Sequence, residues 1–359
     1  MNDGGNNCIG VGLSGGVDSA AACLKLLESG HEVKGFTMLL SPDGEKTAEK
    51  GVAVARLLGI PHVVLDMREE FEQLILRRFV DEYAIGLTPS PCVVCNSCFK
   101  FGALWHAIVS HGCNALATGH YARTAIIEGC QALLRGTDRR KDQSYFLAQL
   151  TEEQLSHAIF PIGDSEKKQL KERIQAMGIV PRSESESQDL CFLPKGDFAQ
   201  FVLKRRPDLQ KDGVILDTTG KILGHHHGAF QYTVGQRRGL GLGGGPWFVA
   251  RTDTVNNVVH VAHAEDLSCS EMTLHGMNWL FREPELGGSI ETAVQIRYLM
   301  TPRPATLTRL DNGLATVHFH EPIMAAPPGQ LAVAFDGERV VASGWISPYD
   351  GNTPNGKRG

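Results

Sequence analysis

The chain has 359 residues, a formal net charge of −5, and 42% hydrophobic, 7% aromatic and 21% charged residues, globular proportions that exclude a disordered polymer, a collagen and a simple coiled coil. At about 100–200 residues per domain, this length predicts two or three domains, each able to bury a core. No run approaches the ~18 apolar residues of a membrane span, and residues 1–7 lack the basic and long apolar regions of a signal peptide. The expectation is a cytoplasmic protein with no membrane partner.

In chain order, a strand at 9–13, a helix at 16–29, a strand at 32–39, a helix at 45–58 and a strand at 62–66 alternate as in a parallel sheet covered by helices. Helical patterns at 68–85 and 99–111 precede a strand at 115–118. Thr151-Glu152-Glu153-Gln154 has the form of a capping box, and a helix over 166–177 stops at Gly178. Beyond Gly213 short β-type runs follow at 214–216, 247–250, 258–262, 290–298, 305–310, 315–319 and 331–335. The expected architecture is multidomain α/β plus β. Residues 1–200 form a Rossmann-like α/β domain with a parallel sheet, 201–277 a small central β-rich domain, 278–350 a C-terminal β-barrel-like domain, and 351–359 a flexible tail. Residues 282–288 serve as the later connector.

Ser14-Gly15-Gly16-Val17-Asp18-Ser19 follows the first strand and opens the first helix. Glycines let a ligand approach the backbone, the free N–H groups of the helix start point at an anion, and Ser14 and Ser19 add hydroxyl donors. Asp18 would repel phosphates unless a cation bridges them, which suits Mg²⁺. A plain serine-capped βα turn is the alternative, and the full hexapeptide in this position argues against it. Two other glycine patterns fail. At 239–244 the spacing G-x-G-x-x-G is followed by Pro246 and no helix, and at 351–357 G-x-x-x-x-G-K is followed by Arg358 where Ser or Thr is needed. The hexapeptide resembles the signature of the PP-loop ATP pyrophosphatases, which implies binding of ATP and its cleavage to AMP and pyrophosphate.

Nine cysteines, an odd number without a secretion signal, point to chemistry over a disulfide framework. Pro91-Cys92-Val93-Val94-Cys95-Asn96-Ser97-Cys98 places three of them in a loop leading into a helix, whose N-terminus favours a thiolate as nucleophile or metal ligand. No second C-x-x-C completes a zinc ribbon. Cys191, in Ser187-Gln188-Asp189-Leu190-Cys191-Phe192-Leu193, is the distant partner. Cys8, Cys23, Cys113 and Cys269 lie in apolar contexts suited to packing, and Cys130 in a turn.

Taken in order, the glycine loop, P-x-x-x-C-N at 91–96, Ala117-Thr118-Gly119-His120-Tyr121, Lys141-Asp142-Gln143-Ser144-Tyr145-Phe146-Leu147, the Cys191 segment, Tyr232 to Gly241, Val294-Gln295-Ile296-Arg297-Tyr298 and Pro328-Gly329-Gln330 resemble the tRNA-specific 2-thiouridylases along nearly the whole chain. The resemblance implies adenylation of the 2-carbonyl oxygen of a wobble uridine in tRNA, followed by its replacement with sulfur carried as a cysteine persulfide, loaded by a sulfur-donor protein. By position, Cys191 would carry the persulfide and Cys95 would be the nucleophile that releases it, the two forming a transient disulfide. Gly12, Leu13, Ser14, Gly15, Gly16, Val17, Asp18, Ser19, Met38 and Gly119 would bind ATP. Ser90, Pro91 and Cys92 would face the target base, and Lys141, Asp142, Gln143, Arg297 and Tyr298 would contact the tRNA.

The chain departs from many members at Cys92, where they carry an aspartate proposed as acid/base. A sulfide-bearing iron–sulfur cluster on Cys92, Cys95 and Cys191 is the alternative sulfur route, and a PP-loop enzyme acting on another acceptor, or a non-catalytic RNA-binding protein, is the rival reading. His225-His226-His227 is expected as a loop contacting tRNA or solvent, because neighbouring side chains point to opposite faces. Arg135, Arg139, Arg140 and Lys141, then Lys204-Arg205-Arg206, then Arg237-Arg238 are the basic patches that an acidic chain needs to hold tRNA.

Overall fold

Short apolar runs separated by amphipathic helices leave few options but a covered parallel sheet, and the computed structural model, which describes residues 8–41, 44–181, 190–193, 197–324 and 326–348, has one. The strands of the first half are β1 (Cys8–Gly12), β2 (Glu32–Leu39), β3 (His62–Asp66), β4 (Ala115–Ala117), the hairpin β5 (Ala122–Ile127) and β6 (Cys130–Arg135), and β7 (Ala158–Ile159). The sheet order is β3-β2-β1-β4-β7, parallel throughout. Helices α1 (Val17–Glu28) and α2 (Glu45–Leu58) connect β1 to β2 and β2 to β3. The chain therefore runs outward from β1 in one direction through β2 and β3, and in the other through β4. That reversal is the switch point at which doubly wound sheets bind ligands beyond their carboxyl ends.

Two compact units divide the chain. The first comprises residues 1–75, 92–192 and 338–340, and the second 76–91, 193–337 and 341–359. The core of the first is built from Ile9, Val11 and Leu13 of β1 and its exit, the Ala20–Leu26 face of α1, and Leu170 and Ile174 of the helix Lys167–Ala176. Thr151 and Gln154 form the expected capping box at the helix Glu152–Ser156.

In the second unit, β8 (Gly213–Leu216), β9 (Ile222–His226), β10 (Phe248–Asp253) and β11 (Val258–Ala262) make a sheet of order β10-β11-β8-β9 around Ile215, Val249, Val259 and Val261. Strands β12 (Ser268–Trp279), β13 (Ser289–Gln295), β14 (Arg303–Arg309), β15 (Ala315–Met324), β16 (Leu331–Asp336) and β17 (Arg339–Ile346) run in the order β12-β15-β14-β13-β16-β17, and β17 pairs back onto β12 to close a six-stranded barrel. Closure removes the open edges that would otherwise invite aggregation. The later boundary expected at residue 278 falls inside β12, since Asn278 pairs with Ser343. Twelve residues of one strand carry the chain into the barrel before the glycine-rich connector is reached.

Three further expectations are corrected. The cysteines expected in a loop ahead of a helix stand on the helix itself, which is continuous over Pro91–Ser110. Pro91 supplies a favourable first helical residue, and Val93, Val94, Phe99, Phe101, Leu104 and Ile108 are buried along it. By length and mean hydropathy of 1.4 this helix also reaches the range of a membrane span, although its polar residues interrupt every long apolar run. The histidine run is not a loop: His225 and His226 end β9, with His226 buried between exposed neighbours and its Nδ1 accepting from Gly228 N at 3.0 Å. Cys130 opens β6 just after the turn at 128–129. The tail 351–359, residues 1–7 and the Ser187–Asp189 part of the Cys191 segment lie outside the described residues.

Candidate active site

The glycine loop takes its shape from what surrounds it. Gly15 has φ of +80°, and a Cβ there would come within 2.4 Å of Lys50 Cβ and 2.7 Å of its carbonyl carbon, so both conformation and space demand glycine. Gly16 caps α1 in an extended conformation without any side chain bonding to the first turn, which leaves the opening N–H groups of a twelve-residue helix to a ligand. Ser14 is exposed, while Ser19 is buried, with its Oγ donating to Gly16 O at 3.0 Å and lying 3.3 Å from Ser14 Oγ. Behind the loop, Leu13 N donates to Phe36 O at 2.7 Å and Thr37 Oγ1 donates to Leu13 O, with His62 Nε2 at 2.9 Å from the same hydroxyl. Met38 is half-buried on β2 and Gly12 ends β1, so both reach the same carboxyl edge of the sheet.

Residues 118–121, directly after β4, join this loop to the cysteines. A Cβ at Gly119 would lie 2.7–2.8 Å from the backbone of Asp18 and Ser19, so only glycine lets the two segments touch. Tyr121 donates its hydroxyl to Asp18 Oδ1 at 2.9 Å, and Lys167 Nζ lies 3.1 Å from Asp18 Oδ2. Each carboxylate oxygen keeps a lone pair, so Asp18 retains the donor chemistry that Mg²⁺ favours. His120 is buried, its Nδ1 lying 2.7 Å from Thr118 Oγ1 and its Nε2 3.4 Å from Lys100 Nζ. Burial, and secondarily the Lys100 charge, hold its pKa well below the usual 6.5. Neutral His120 thus accepts from the ammonium at Nε2 and donates from Nδ1 to the threonine.

Lys100 belongs to the helix that carries Cys92, Cys95 and Cys98. From Cys95 to Leu104 this helix is wound as a π-helix, with α-helical turns on either side. Such widened turns occur often at functional sites. Phe71 lies edge-on to Phe99 of the helix (centroids 5.3 Å) and to Phe192 (5.9 Å), which draws the Cys191 segment onto it. Cys92 and Cys191 are open to solvent and Cys95 is half-buried. The protein packed around them nonetheless raises all three thiol pKa values, that of Cys95 to about 12, while Lys100 acts on each in the opposite sense. A thiolate on Cys191 raises the pKa of both Cys92 and Cys95. The two cysteines singled out for sulfur transfer, 96 positions apart in sequence, thus act on one another through charge. Among the described residues no group of three or more His, Cys, Asp or Glu side chains is arranged to hold a metal ion, so the three thiols do not fit an iron–sulfur cluster as they stand, and no chemistry is derived through one.

The remaining site residues divide between the units. In the first, Asp142 is buried: its Oδ2 accepts from Arg135 Nε at 2.7 Å, and its Oδ1 from Gly136 N and Ser144 N at 3.0 Å each. Gln143 Oε1 accepts from Tyr121 N at 3.0 Å. These two face inward, and Lys141 is half-buried beside them. In the second, Ser90 and Pro91 are buried; Gln330 Nε2 donates to the carbonyls of Thr88 (2.9 Å) and Pro89 (3.3 Å), and Thr88 N to Pro328 O (2.8 Å). Arg297 and Tyr298, half-buried, follow β13, with Arg297 O accepting from Gln295 Nε2 at 2.9 Å. Reading the sequence missed Lys100, His120, Tyr121 and Lys167 as working residues. Lys100 left one signal: it is the one charged residue in the apolar stretch from Phe99 to Ile108 apart from His106.

An anion loop at the switch point of a parallel sheet, joined through residues 118–121 to a thiol cluster, defines a nucleotide-using enzyme of the PP-loop class. Three family models match successive parts of the chain: a tRNA methyl transferase HUP domain over residues 7–195, a tRNA methyl transferase PRC-barrel domain over 199–263, and an aminomethyltransferase beta-barrel domain over 269–346. The tRNA-specific 2-thiouridylase of Syntrophotalea carbinolica is 40% identical over 95% of this chain and 99% of its own, and that of Magnetococcus marinus 41% identical over 94% and 98%. The chain belongs to the tRNA-specific 2-thiouridylase family.

Proposed function

We infer that this chain thiolates the wobble uridine of tRNA at C2, using ATP to activate the oxygen and a cysteine persulfide to supply the sulfur. The observation that supports it best is the packing of Phe192, next to Cys191, on Phe71, which itself packs on Phe99 of the helix that carries Cys95, within the unit that also carries the glycine loop. A carbonyl oxygen leaves poorly; bonded to AMP it leaves readily, and a soft sulfur nucleophile then attacks the carbon. Residues 12–19, Met38 and Gly119 bind the ATP; Asp18 would hold the Mg²⁺ that arrives with it, which would supply positive charge to offset the phosphates.

Solvent-exposed Cys191 accepts a persulfide from a donor protein. Its terminal sulfur bonds to C2 as the C2–O bond breaks and AMP departs with the electron pair. Cys95 thiolate then attacks Cys191 Sγ; the bond between that sulfur and the transferred one breaks, its electrons go to the base, and N3 takes up a proton to give 2-thiouridine. A Cys95–Cys191 disulfide remains, and a thiol reductant must open it before the next turnover. Ser90, Pro91 and Cys92 face the base, while Lys141, Arg297 and Tyr298 and the exposed Arg237 and Arg238 contact the tRNA. Asp142 and Gln143 hold their loop in place for it. The setting is the cytoplasm.

The test is anaerobic incubation of the protein with ATP, Mg²⁺, a persulfide donor and unmodified tRNA, followed by nucleoside mass analysis. Thiouridine at the wobble position, abolished by Cys191→Ala and by Cys95→Ala, is the expected result. AMP formation without thiouridine in the unaltered protein would transfer the activity to another acceptor.

A further inference from the structure

Leu13 is where the main chain leaves β1 for the glycine loop, and its carbonyl has no backbone donor among the described residues. Thr37 Oγ1 donates to it instead. A threonine hydroxyl carries one hydrogen. Since Leu13 O takes it, the imidazole is the donor in the 2.9 Å contact between His62 Nε2 and that hydroxyl, which places a ring hydrogen on Nε2. Thr37 is buried and His62 half-buried, so this run of two hydrogen bonds lies behind the loop and serves the protein rather than a ligand.

Glycines make room for it on three sides. In the register of β2 on β3, Gly35 stands opposite His62, and a Cβ on Gly35 would lie 3.0 Å from the imidazole Cδ2. Without one, the ring leans along β2 to Thr37, two residues on and on the same face. From the α2 side, a Cβ on Gly51 would lie 2.8 Å from Leu13 O and nearer still to Thr37 Oγ1, and one on Gly15 2.9 Å from Gly51 N. Strand, helix and loop therefore meet at the bond from Thr37 to Leu13. Glycine within a strand or helix weakens it, and close approach is the usual reason for its presence there.

The consequence falls on the next N–H. Carbonyl and N–H point opposite ways across a trans peptide, and the Leu13–Ser14 peptide is trans. With the carbonyl held back toward β2 and α2, Ser14 N–H is turned away from both. The hydrogen bonds of Ser14 to the described residues run through its hydroxyl, not its N–H. That N–H thus joins those at the start of α1 as a donor to an anion. Without the pin, the peptide plane would be free to rotate and set an oxygen where the phosphates bind.

We propose that Thr37 and His62 are positioning residues for ATP: the imidazole sets the threonine hydroxyl, the hydroxyl pins the Leu13 carbonyl, and Ser14 N–H is thereby aimed at the phosphates. His62 matters because an unheld hydroxyl rotates, whereas one already accepting from Nε2 keeps its hydrogen on Leu13 O. The two residues act through one bond, so their losses do not add.

This assignment deepens the ATP reading of the loop and rests on it. Calorimetric binding of the α,β-methylene analogue of ATP with Mg²⁺, and of adenosine, is compared in the unaltered protein, Thr37→Val, Thr37→Ser, His62→Phe, His62→Gln and the double variant Thr37→Val with His62→Phe. Thr37→Val weakens the analogue about tenfold and His62→Phe about threefold, the scale of one hydrogen bond, while adenosine is held as before. Thr37→Ser and His62→Gln, which keep the hydroxyl and the N–H, stay within about twofold of the unaltered protein. The double variant matches Thr37→Val alone. Should Thr37→Val fail to fold, His62→Phe against His62→Gln makes the same comparison. Unchanged analogue binding in Thr37→Val, adenosine binding that falls along with it, or losses that multiply in the double variant overturn the proposal. So does an unaltered protein that binds no analogue, which removes the ATP role of the loop as well. An unaltered protein that binds the analogue but makes no thiouridine leaves Thr37 and His62 in their role and removes only the acceptor.

Discussion

Asp142 shows why a residue's place in a motif does not settle what it does. It sits between Lys141 and Gln143 in a triplet matched to tRNA contact, yet its carboxylate accepts three hydrogen bonds inside the protein, one of them from Arg135. Its side chain is 7% exposed and that of Arg135 20%. Removing one partner of such a pair strands a buried charge, at a cost of about 3 kcal/mol or more. Asp142→Ala should therefore lower the melting temperature, with the uncovered Arg135 as the cause, and Asp142→Ala combined with Arg135→Met should recover part of the loss. If the carboxylate served tRNA directly, thermal unfolding would be unmoved and only KM for tRNA would rise. The expectation for the packing cysteines fared differently: Cys8, Cys23, Cys113 and Cys269 are all buried, because an apolar sequence context reports burial directly.

Among elements, those set by local pattern were legible and those set by distant pairing were not. Strands β2 and β3 and helix α2 were read to the residue, since alternation, helical periodicity and a closing glycine are written within a few positions of each. The hairpin β5–β6 and strands β9 and β17 went unread; β17 draws its place from pairing with β12, some 65 positions away in sequence. The helix at Cys92–Cys98 was missed because Cys, Asn and Ser dilute its apolar face, and its π-winding has no marker in a single sequence. Contact between loops was equally silent. Gly119 was matched to ATP binding by motif alone; what the structure adds is why the position needs glycine, the closeness of Asp18 and Ser19. Alanine there would place a carbon at 2.7–2.8 Å from that backbone and push the glycine loop off its position. Gly119→Ala should cut ATP-dependent AMP formation at least tenfold, with KM for ATP raised, and equilibrium binding of ATP by calorimetry should weaken in step. Unchanged ATP affinity would mean that the two segments can part without cost.

For the molecule as a whole, the buried ionisable groups bound its stability on both sides of neutrality. His62, His120 and His157 in the first unit, and His226 and His260 in the second, all have pKa values lowered by burial. Below about pH 6.5 the unfolded chain binds protons at these sites that the folded chain refuses, so stability is fully present above that pH and is lost as pH falls through it. His120, buried and furthest shifted, contributes a slope of about 1.4 kcal/mol per pH unit until its folded value is reached. The carboxylates with lowered values, among them Asp66, Asp164 and Asp217, lose their contribution only below about pH 4, which leaves the range between to the histidines. On the alkaline side the signs reverse. Cys23, Cys95 and Cys113 are raised to about 12; an unfolded thiol ionises near pH 9, and the folded protein keeps its proton. Their contribution is complete below pH 9 and declines as pH rises beyond it. Calorimetric melting temperatures should form a plateau between about pH 6.5 and 9 and fall on either side. His120→Gln should flatten the acid limb while leaving the alkaline limb alone, and Cys23→Ala should do the reverse. A melting temperature that holds level from pH 7 to 5 would contradict the burial of neutral imidazole on which the Lys100–His120 contact depends.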